Sequence, residues 1–500
     1  MCGIAGSWDG GVRSERLREV RSRVRRLRHR GPDGEGVRDG RRATLGHARL
    51  AIMDPAHGAQ PHVTEDGAAA LVANGEVYNH RALRAALHGH TFQSHSDTEV
   101  ALHLLEDLAG DAVPRLDGMF ALAFDGGDEL LLARDPLGIK PLYLAEGEDG
   151  VRFASEMKAL QDVDATVREL PPGSIWSSRD GLRRYYRVPP ARAELRDPES
   201  AAQAVRATLE RAVERRLMSD VPLGAFLSGG LDSSAIAALA ARAMGELHTF
   251  SVGVEGSDDL EAARAVARHL GTHHHEWVFR ASDVDAELER LVYALESFDR
   301  DLIRSAMPTH FTARLAAEHV KVVLTGEGAD ELFAGYRYVR GLAGETLANE
   351  LRRSLEGMHN LNLQRVDRLT MAHGLEARVP FLDREMVELA QRIAPELKIA
   401  GRGGRRIEKW VLRKAVEDLL PADIVWRDKA QFDEGSGAAE LLAGRAADGP
   451  LPERRFGIRP RSAEEARYLE VFASVFEAPE AMIPNLGRWL PPADGGRVDA

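Results

Sequence analysis

Residues 221–244 read VPLGAFLSGGLDSSAIAALAARAM. The apolar run VPLGAFL is a buried-strand candidate, the small-residue turn SGGLDSS (Ser228 to Ser234) follows it, and AIAALAARAM reads as a helix. A strand that passes through a Gly/Ser loop into a helix presents unpaired N–H groups and the positive end of the helix dipole to an anion, so the spacing predicts a phosphate loop. The lysine of a Walker loop is absent. Charge compensation must come from elsewhere, and Asp232 inside the loop points to a magnesium ion bridging carboxylate and phosphates. Downstream, LHTFSVGV (247–254) and VKVVLTG (320–326) read as further strands, with the helical run EAARAVARHLG (261–271) between them. Strands alternating with helices predict an α/β domain with a parallel sheet and crossover helices. The second loop, TGEGADE (Thr325 to Glu331), places Glu327 between glycines and Asp330, a second candidate metal ligand, at the carboxyl end of a strand, where open α/β sheets bind ligands. Beyond it, helices are expected to dominate.

The first 190 or so residues follow another pattern. ATLGHARLAIMD, AAALVANGEVYN, GMFALAFDG, ELLLARDPLG, PLYLAEG and VRFASE are short apolar runs punctuated by Gly, Asp and Pro, with helices expected only at RALRAALHG and TEVALHLLEDL. This predicts a layered, mostly antiparallel sheet domain. The Pro-bearing stretch RVPPARAELRDPES (187–200) reads as a linker, and the final PPADGGRVDA as a disordered tail.

Composition narrows the chemistry. The chain has 500 residues, 44% of them hydrophobic, and a net charge of -12. The acidic balance argues against a nucleic-acid binder, which needs an excess of basic residues to neutralise phosphates. No apolar run approaches a membrane span, and a single cysteine suits a reducing compartment, so a cytoplasmic enzyme of small molecules is expected. One stretch opposes the balance: RSERLREVRSRVRRLRHR (13–30) carries nine arginines. Leu17, Val20, Val24 and Leu27 fall at helical spacing, so the arginines are expected on the wet side of an amphipathic helix. The tract His273–His275 is read as structural, because neighbours on a strand face opposite sides.

The single cysteine, Cys2, stands behind Met1 in MCGIAG. Removal of Met1 would leave a thiol and an α-amine on one residue, so that the terminus itself serves as the base for the nucleophile. The bland alternative is a small buried hydrophobe.

MCGIAG, HRGPD (His29 to Asp33), RLAIMD (Arg49 to Asp54), NGEVYNH (Asn74 to His80), SDTEV (Ser96 to Val100), SGGLDSS, GEGADE, GLEARVPFLD (Gly374 to Asp383) and WRDKAQF (Trp426 to Phe432) occur in this order. Together they resemble the glutamine-hydrolysing asparagine synthetases along almost the whole chain. The resemblance implies an α+β N-terminal-nucleophile hydrolase sandwich at 2–190, acting as glutaminase, followed by an α/β parallel-sheet ATP-pyrophosphatase-type domain at 200–490. In the first, Cys2 would attack the glutamine amide, and Asn74 with the N–H of Gly75 would form the oxyanion hole. Arg49 would hold the substrate carboxylate, and Glu76 and Asp97 its ammonium. In the second, Leu227, Ser228, Gly229, Gly230, Asp232, Ser233, Ser234, Val252, Gly326 and Glu327 would bind ATP, and Asp232 and Asp330 would hold Mg2+. Glu327 would handle protons at the ammonia step, and Lys429 would be the cation near the phosphates. The resemblance further implies ammonia passing between the domains and leaves a homodimer open.

The chain departs from the family where the latter reads close to TTIRAST. Here DLIRSAMP (Asp301 to Pro308) keeps Arg304, but Asp301, Ser305, Ala306 and Met307 differ, near the region expected to recognise aspartate. Two enzyme readings follow, aspartate or another carboxylate as acceptor. β-Lactam synthetases share the architecture but lose the N-terminal Cys. A regulatory protein with dead sites would show gaps in the motif set, and none is evident.

Overall fold

The computed structural model describes residues 2–9, 12–402, 405–428, 432–444 and 454–489. Lys429 and the expected tail lie outside these residues.

Two six-stranded antiparallel sheets form the amino-terminal part. One runs in the order Val167–Glu169, Tyr143–Gly147, Gly150–Ala154, Gly3–Trp8, Ala43–Arg49, Gly34–Asp39, and the other Gly181–Arg184, Ser174–Ser177, Leu130–Arg134, Gly118–Asp125, Ala70–Val77, His62–Val63. The period-two alternation of side chains decides the layering. Ile4, Leu45 and Phe153 of the first sheet meet Val72, Ala121 and Leu132 of the second. The opposite phase of the second sheet, Leu71, Ala73, Phe120 and Leu122, packs under Leu102 and Leu105 of helix Glu99–Leu108. Helix Arg13–Arg26 covers the other outer face through Val20 and Val24, joined by Leu27, all three fully buried. The expected wet side of this segment is only partly wet. Arg16, Arg23 and Arg30 are buried, and Arg23 reaches Glu19 and Asp162 at 3.4 and 3.7 Å, because the helix lies in a groove that supplies carboxylates.

The second part is built on a five-stranded, fully parallel sheet, ordered His273–Val278, His248–Gly253, Leu223–Phe226, Val322–Leu324, Glu376–Arg378. The chain winds outward from Leu223–Phe226 in one direction, returns, and continues from Val322–Leu324 in the other. The two central strands therefore flank a topological switch point, where the connections leave on opposite sides and open a crevice at the carboxyl edge. Both the SGGLDSS and GEGADE loops emerge there.

Several expectations need adjusting. Helix Leu231–Met244 starts inside the expected phosphate loop, so Asp232 lies in its first turn. The expected linker ends early: Asp197 caps helix Pro198–Arg215 by accepting from the N–H of Ser200, and Leu195 bridges to Ile393. Helices dominate the carboxyl-terminal part as expected, and to them GLEARVPFLD adds the edge strand Glu376–Arg378 while Ile399–Arg402 pairs with Arg405–Glu408. His274 is structural, its ring nitrogens lying 3.0 and 3.1 Å from the hydroxyls of Thr249 and Ser251. Among the described residues no helix is long and apolar enough to cross a membrane.

The two parts meet across buried charge rather than a purely apolar seam. Arg30, fully buried, donates to Glu156 (2.7 Å) and with both terminal nitrogens to Asp367 (2.9 and 3.1 Å) on helix Asn362–Met371. Burial works against ionisation of Glu156, but Lys158, His29, Arg368 and Arg30 outweigh it and hold the carboxyl well below the usual range. A fork–fork pair of this kind is directional, so it sets the angle between the domains as well as their contact.

Candidate active site

Cys2 precedes the strand Gly3–Trp8 of one sheet, while Asn74 and Gly75 lie on the strand Ala70–Val77 of the other. Folding brings them together: the Cys2 N–H donates to Asn74 Oδ1 at 3.0 Å. The amide nitrogen of Asn74 is buried with no hydrogen-bond partner among the described residues. A buried amide donor left unmade is costly, so its persistence on the side chain that binds the Cys2 N–H suits a ligand oxygen placed there. Gly75 has φ +145°, and a Cβ there would overlap the carbonyl oxygen of Met119. Only glycine fits. Burial pushes the Cys2 thiol up, against the lowering effects of the chain's amine and a hydrogen bond to the Leu50 carbonyl.

The acidic pair also assembles. Asp97 Oδ2 accepts from the Val77 N–H at 2.6 Å. Glu76 Oε1 is 3.5 Å from Arg378, which in turn donates to Glu376 at 2.6 Å, so a carboxylate of the amino-terminal part faces a cation from the other part's edge strand. Burial, then Asp97 and Glu376, hold the Glu76 carboxyl well above its usual range. Its Oε2 is buried without a partner among the described residues, an acceptor suited to an ammonium. Arg49 is fixed by the carbonyls of Asp54 and Pro55 at 2.8 and 2.9 Å, which aims its guanidinium along its own loop.

At the switch point the second centre forms. Gly229 adopts φ +71°, and a Cβ would crowd Ala262 and Ala263 at 2.5 Å, so the loop needs glycine to approach the neighbouring helix. Ser228 and Ser233 hold the loop closed through a 3.0 Å hydroxyl contact and the Ser228 N–H to Ser233 Oγ at 3.1 Å. Gly230 caps the helix, and the hydroxyl of Ser234 in its first turn is buried. Leu227, buried, follows the strand Leu223–Phe226, and Val252 is buried in the neighbouring one. Gly326 abuts the Asp232 turn, where a Cβ would meet Asp232 Cβ at 2.9 Å. The two expected metal carboxylates do converge. Lys409 Nζ lies 2.5 Å from Asp232 Oδ2 and 2.5 Å from Asp330 Oδ1. Two carboxylates from two strand ends thus share one cationic position, and their all-oxygen donor set fits a hard divalent ion.

Lys409, buried in a left-handed backbone conformation at the start of helix Trp410–Val416, was not legible as a site residue: one lysine in an ordinary amphipathic run carries no pattern. Glu327 pairs with Arg365 of helix Asn362–Met371. The same helix carries Asp367, and Arg30 donates from Nε to the Cys2 carbonyl at 3.0 Å. Arg30 and Arg365 were missed as well, although HRGPD had marked the first segment. Beside Glu327, Glu331 is buried and accepts from Tyr336 Oη (2.5 Å) and Asn362 (3.1 Å). Burial, reinforced by Asp330, pushes its carboxyl up to about 7. A folded value above the ordinary 4.5 contributes stability that is fully present below about 4.5 and lost as pH rises through about 7. Glu331→Gln removes that dependence, so its stability should gain on the wild type between pH 5 and pH 8, by about 3 kcal/mol in all, and its melting temperature should rise relative to the wild type's over the same range. Parallel melts of the two proteins across pH check it; a constant difference would exclude the shift.

The region of departure near Arg304 resolves differently from expectation. Ala306 and Met307 are fully buried in the core with Ile303 and Phe311, so they offer no surface to an acceptor. Ser305 donates to the carbonyls of Asp301 and Leu302 within its own helix. Arg304 makes a fork with Glu464 at 2.9 and 2.5 Å.

Family comparison covers both parts of the chain. Residues 1–190 match the glutamine amidotransferase domain, and residues 204–353 and 343–481 match asparagine synthase. Asparagine synthetase [glutamine-hydrolyzing] 3 of Arabidopsis thaliana is 43% identical over 461 residues, which is 87% of this chain and 79% of that protein. The chain belongs to the glutamine-hydrolysing asparagine synthetase family. A second relative of that name, from Sandersonia aurantiaca, is 41% identical over 461 residues, 87% of each chain. Among solved structures, glutamine phosphoribosylpyrophosphate amidotransferase from B. subtilis is 22% identical with a TM-score of 0.32, over 51% of this chain and 67% of that one. With the family settled, the fold class is an α+β N-terminal-nucleophile hydrolase sandwich followed by an α/β ATP-pyrophosphatase-type domain.

Proposed function

We propose that this enzyme is a glutamine-dependent asparagine synthetase, with the glutaminase half at 2–190 and the synthetase half at 200–490. The observation that carries this reading is the helix Asn362–Met371, which is bonded to both centres: through Asp367 and Arg30 to the Cys2 carbonyl, and through Arg365 to Glu327.

In the first half-reaction the Cys2 thiolate adds to the side-chain amide carbon of glutamine. The carbonyl oxygen gains negative charge and takes the hydrogen bonds of Asn74 Nδ2 and the Gly75 N–H, which strengthen as that charge develops. The α-amine exposed by loss of Met1 takes the thiol proton and returns it to the leaving nitrogen, so ammonia departs and water later releases glutamate. Arg49 holds the substrate carboxylate, and Glu76 with Asp97 its ammonium.

In the second, the aspartate side-chain carboxylate attacks the α-phosphorus of ATP. Pyrophosphate leaves, cradled by Ser228 to Ser234 and Lys409, with Leu227, Val252 and Gly326 lining the nucleotide. Asp232 and Asp330 would hold Mg2+, which when bound would supply charge neutralisation of the phosphates. Lys429 is a further cation for them. Ammonia crossing between the domains attacks the acyl carbon, its surplus proton passes to Glu327, and AMP leaves with its electron pair. Arg365 keeps Glu327 oriented.

Support for aspartate over another carboxylate comes from the departures themselves. Ala306 and Met307 are absorbed by packing, and Ser305 by its own helix, so none introduces apolar surface to an acceptor. Glutamine-dependent AMP release across a panel of amino and non-amino carboxylic acids tests the acceptor. Aspartate is expected to exceed its analogues lacking one charged group by roughly 10⁴-fold, because those leave buried partners unpaired. AMP release with a larger carboxylate and none with aspartate would leave a general amidotransferase instead.

A further inference from the structure

Outside both centres, one face of the sandwich gathers two imidazoles and two carboxylates. Glu65 comes from the turn before strand Ala70–Val77, His90 from the segment after helix His80–Ala86, and His103 and Glu106 from helix Glu99–Leu108. Three residues apart on that helix, His103 and Glu106 share a face. One ligand-capable atom from each of the four lies within 4.8 Å of the others, the only such His and carboxylate group among the described residues. Part of the group is already tighter. Nδ1 of His90 and Nδ1 of His103 stand 3.5 and 3.3 Å from one oxygen, Glu106 Oε2. Donors bonded at about 2.0–2.1 Å around a tetrahedral ion are spaced by roughly 3.4 Å.

Two further observations favour a cation over casual ion pairing. His90 Nε2 lies 3.1 Å from Asp107 Oδ1, so the ring has a carboxylate behind its outer nitrogen while Nδ1 faces Glu106. A carboxylate behind the ring is how metal-binding histidines are oriented, with the other nitrogen left to face the ion. His103 is fully buried, its Nε2 has no hydrogen-bond partner among the described residues, and its Nδ1 is aimed into the cluster. The rings of His90 and Phe92 pack against it at 4.5 and 4.8 Å, so its direction is set.

We propose that Glu65, His90, His103 and Glu106 form a site for a first-row divalent ion of the zinc type. Two imidazoles with two carboxylates suit Zn2+ and its neighbours, whereas Mg2+ takes oxygen donors, so this site is chemically distinct from the Asp232 and Asp330 pair in the other domain. Its role is structural. The segment between the two helices carries His90 toward one end and Asp97 at the other, and Asp97 holds the Val77 N–H three residues from Asn74. An ion at His90 fastens that segment to helix Glu99–Leu108 and so steadies the glutamine site, and binding to the folded state alone raises its stability.

The test uses the full chain, stripped with a chelator and titrated with Zn2+ by calorimetry, and with Co2+ followed by visible absorption. Wild type should bind an equivalent that His90→Ala and Glu106→Gln each weaken by roughly 100-fold or more. Ammonia-dependent synthesis should be unchanged in both variants, and Zn2+ should raise the melting temperature of the wild type only. Equal affinity in variants and wild type, or no binding by the wild type at micromolar Zn2+, would overturn the site and leave an ion-pair network. Should either variant fail to fold, the wild-type Co2+ spectrum decides: intense tetrahedral bands uphold the site, and weak octahedral bands or none refute it.

Discussion

Cys2→Ala abolishes glutamine-dependent synthesis, by roughly 10⁴-fold or more as expected for loss of a nucleophile, and leaves ammonia-dependent synthesis intact. The expectation rests on the division of the chain: the thiol lies in the two-sheet sandwich, and the carboxylate activation is proposed at the carboxyl ends of the strands of a separate sheet. Ala keeps the small buried volume of the position, so the Cys2 N–H to Asn74 bond and the Arg30 contact to the Cys2 carbonyl, both made by main-chain atoms, should persist. The check is paired assays of glutamine-driven and ammonia-driven product formation, with a thermal melt alongside. Loss of both activities in a folded variant would refute the separation.

The mirror-image outcome is expected in the other domain. Asp232→Asn and Asp330→Asn should each suppress ATP–pyrophosphate exchange while sparing glutamine hydrolysis. Both carboxylates bear on the position occupied by the Lys409 ammonium, and they reach it from the first helical turns that follow the two central strands at the switch point. Charge stabilisation by a metal is worth several kcal/mol in the transition state, so loss of one carboxylate should slow exchange by roughly 10³-fold. Exchange at the wild-type rate in both variants would remove these residues from the metal and phosphate site.

The elements legible in the sequence were those whose signal is local. Strands such as Ala70–Val77 and Gly118–Asp125 alternate between two buried layers and read as apolar runs, and the SGGLDSS turn announces itself by small residues between a strand and a helix. What escaped was polar burial. The edge strand Glu376–Arg378 has charged residues at both ends, each fully buried because they pair with one another, Arg378 reaching Glu76 across the interface as well. Arg23 and Arg30 read as solvent-facing for the same reason, since a partner such as Asp162 or Asp367 lies more than a hundred residues away. Lys409 became visible only when folding set it between two loops. The sequence motifs GLEARVPFLD and HRGPD marked where such residues are, and only the tertiary structure shows what each one touches.

The central claim is that nitrogen leaves glutamine at Cys2 and reaches a carboxylate activated at the other sheet. It is tested most directly by incubating the enzyme with glutamine labelled with ¹⁵N in the side-chain amide, aspartate and ATP, and measuring label in the product together with AMP. The account predicts ¹⁵N in the asparagine side-chain amide, with AMP and product formed in equal amounts. Release of labelled ammonia with glutamate, and neither AMP nor labelled amide, would contradict it.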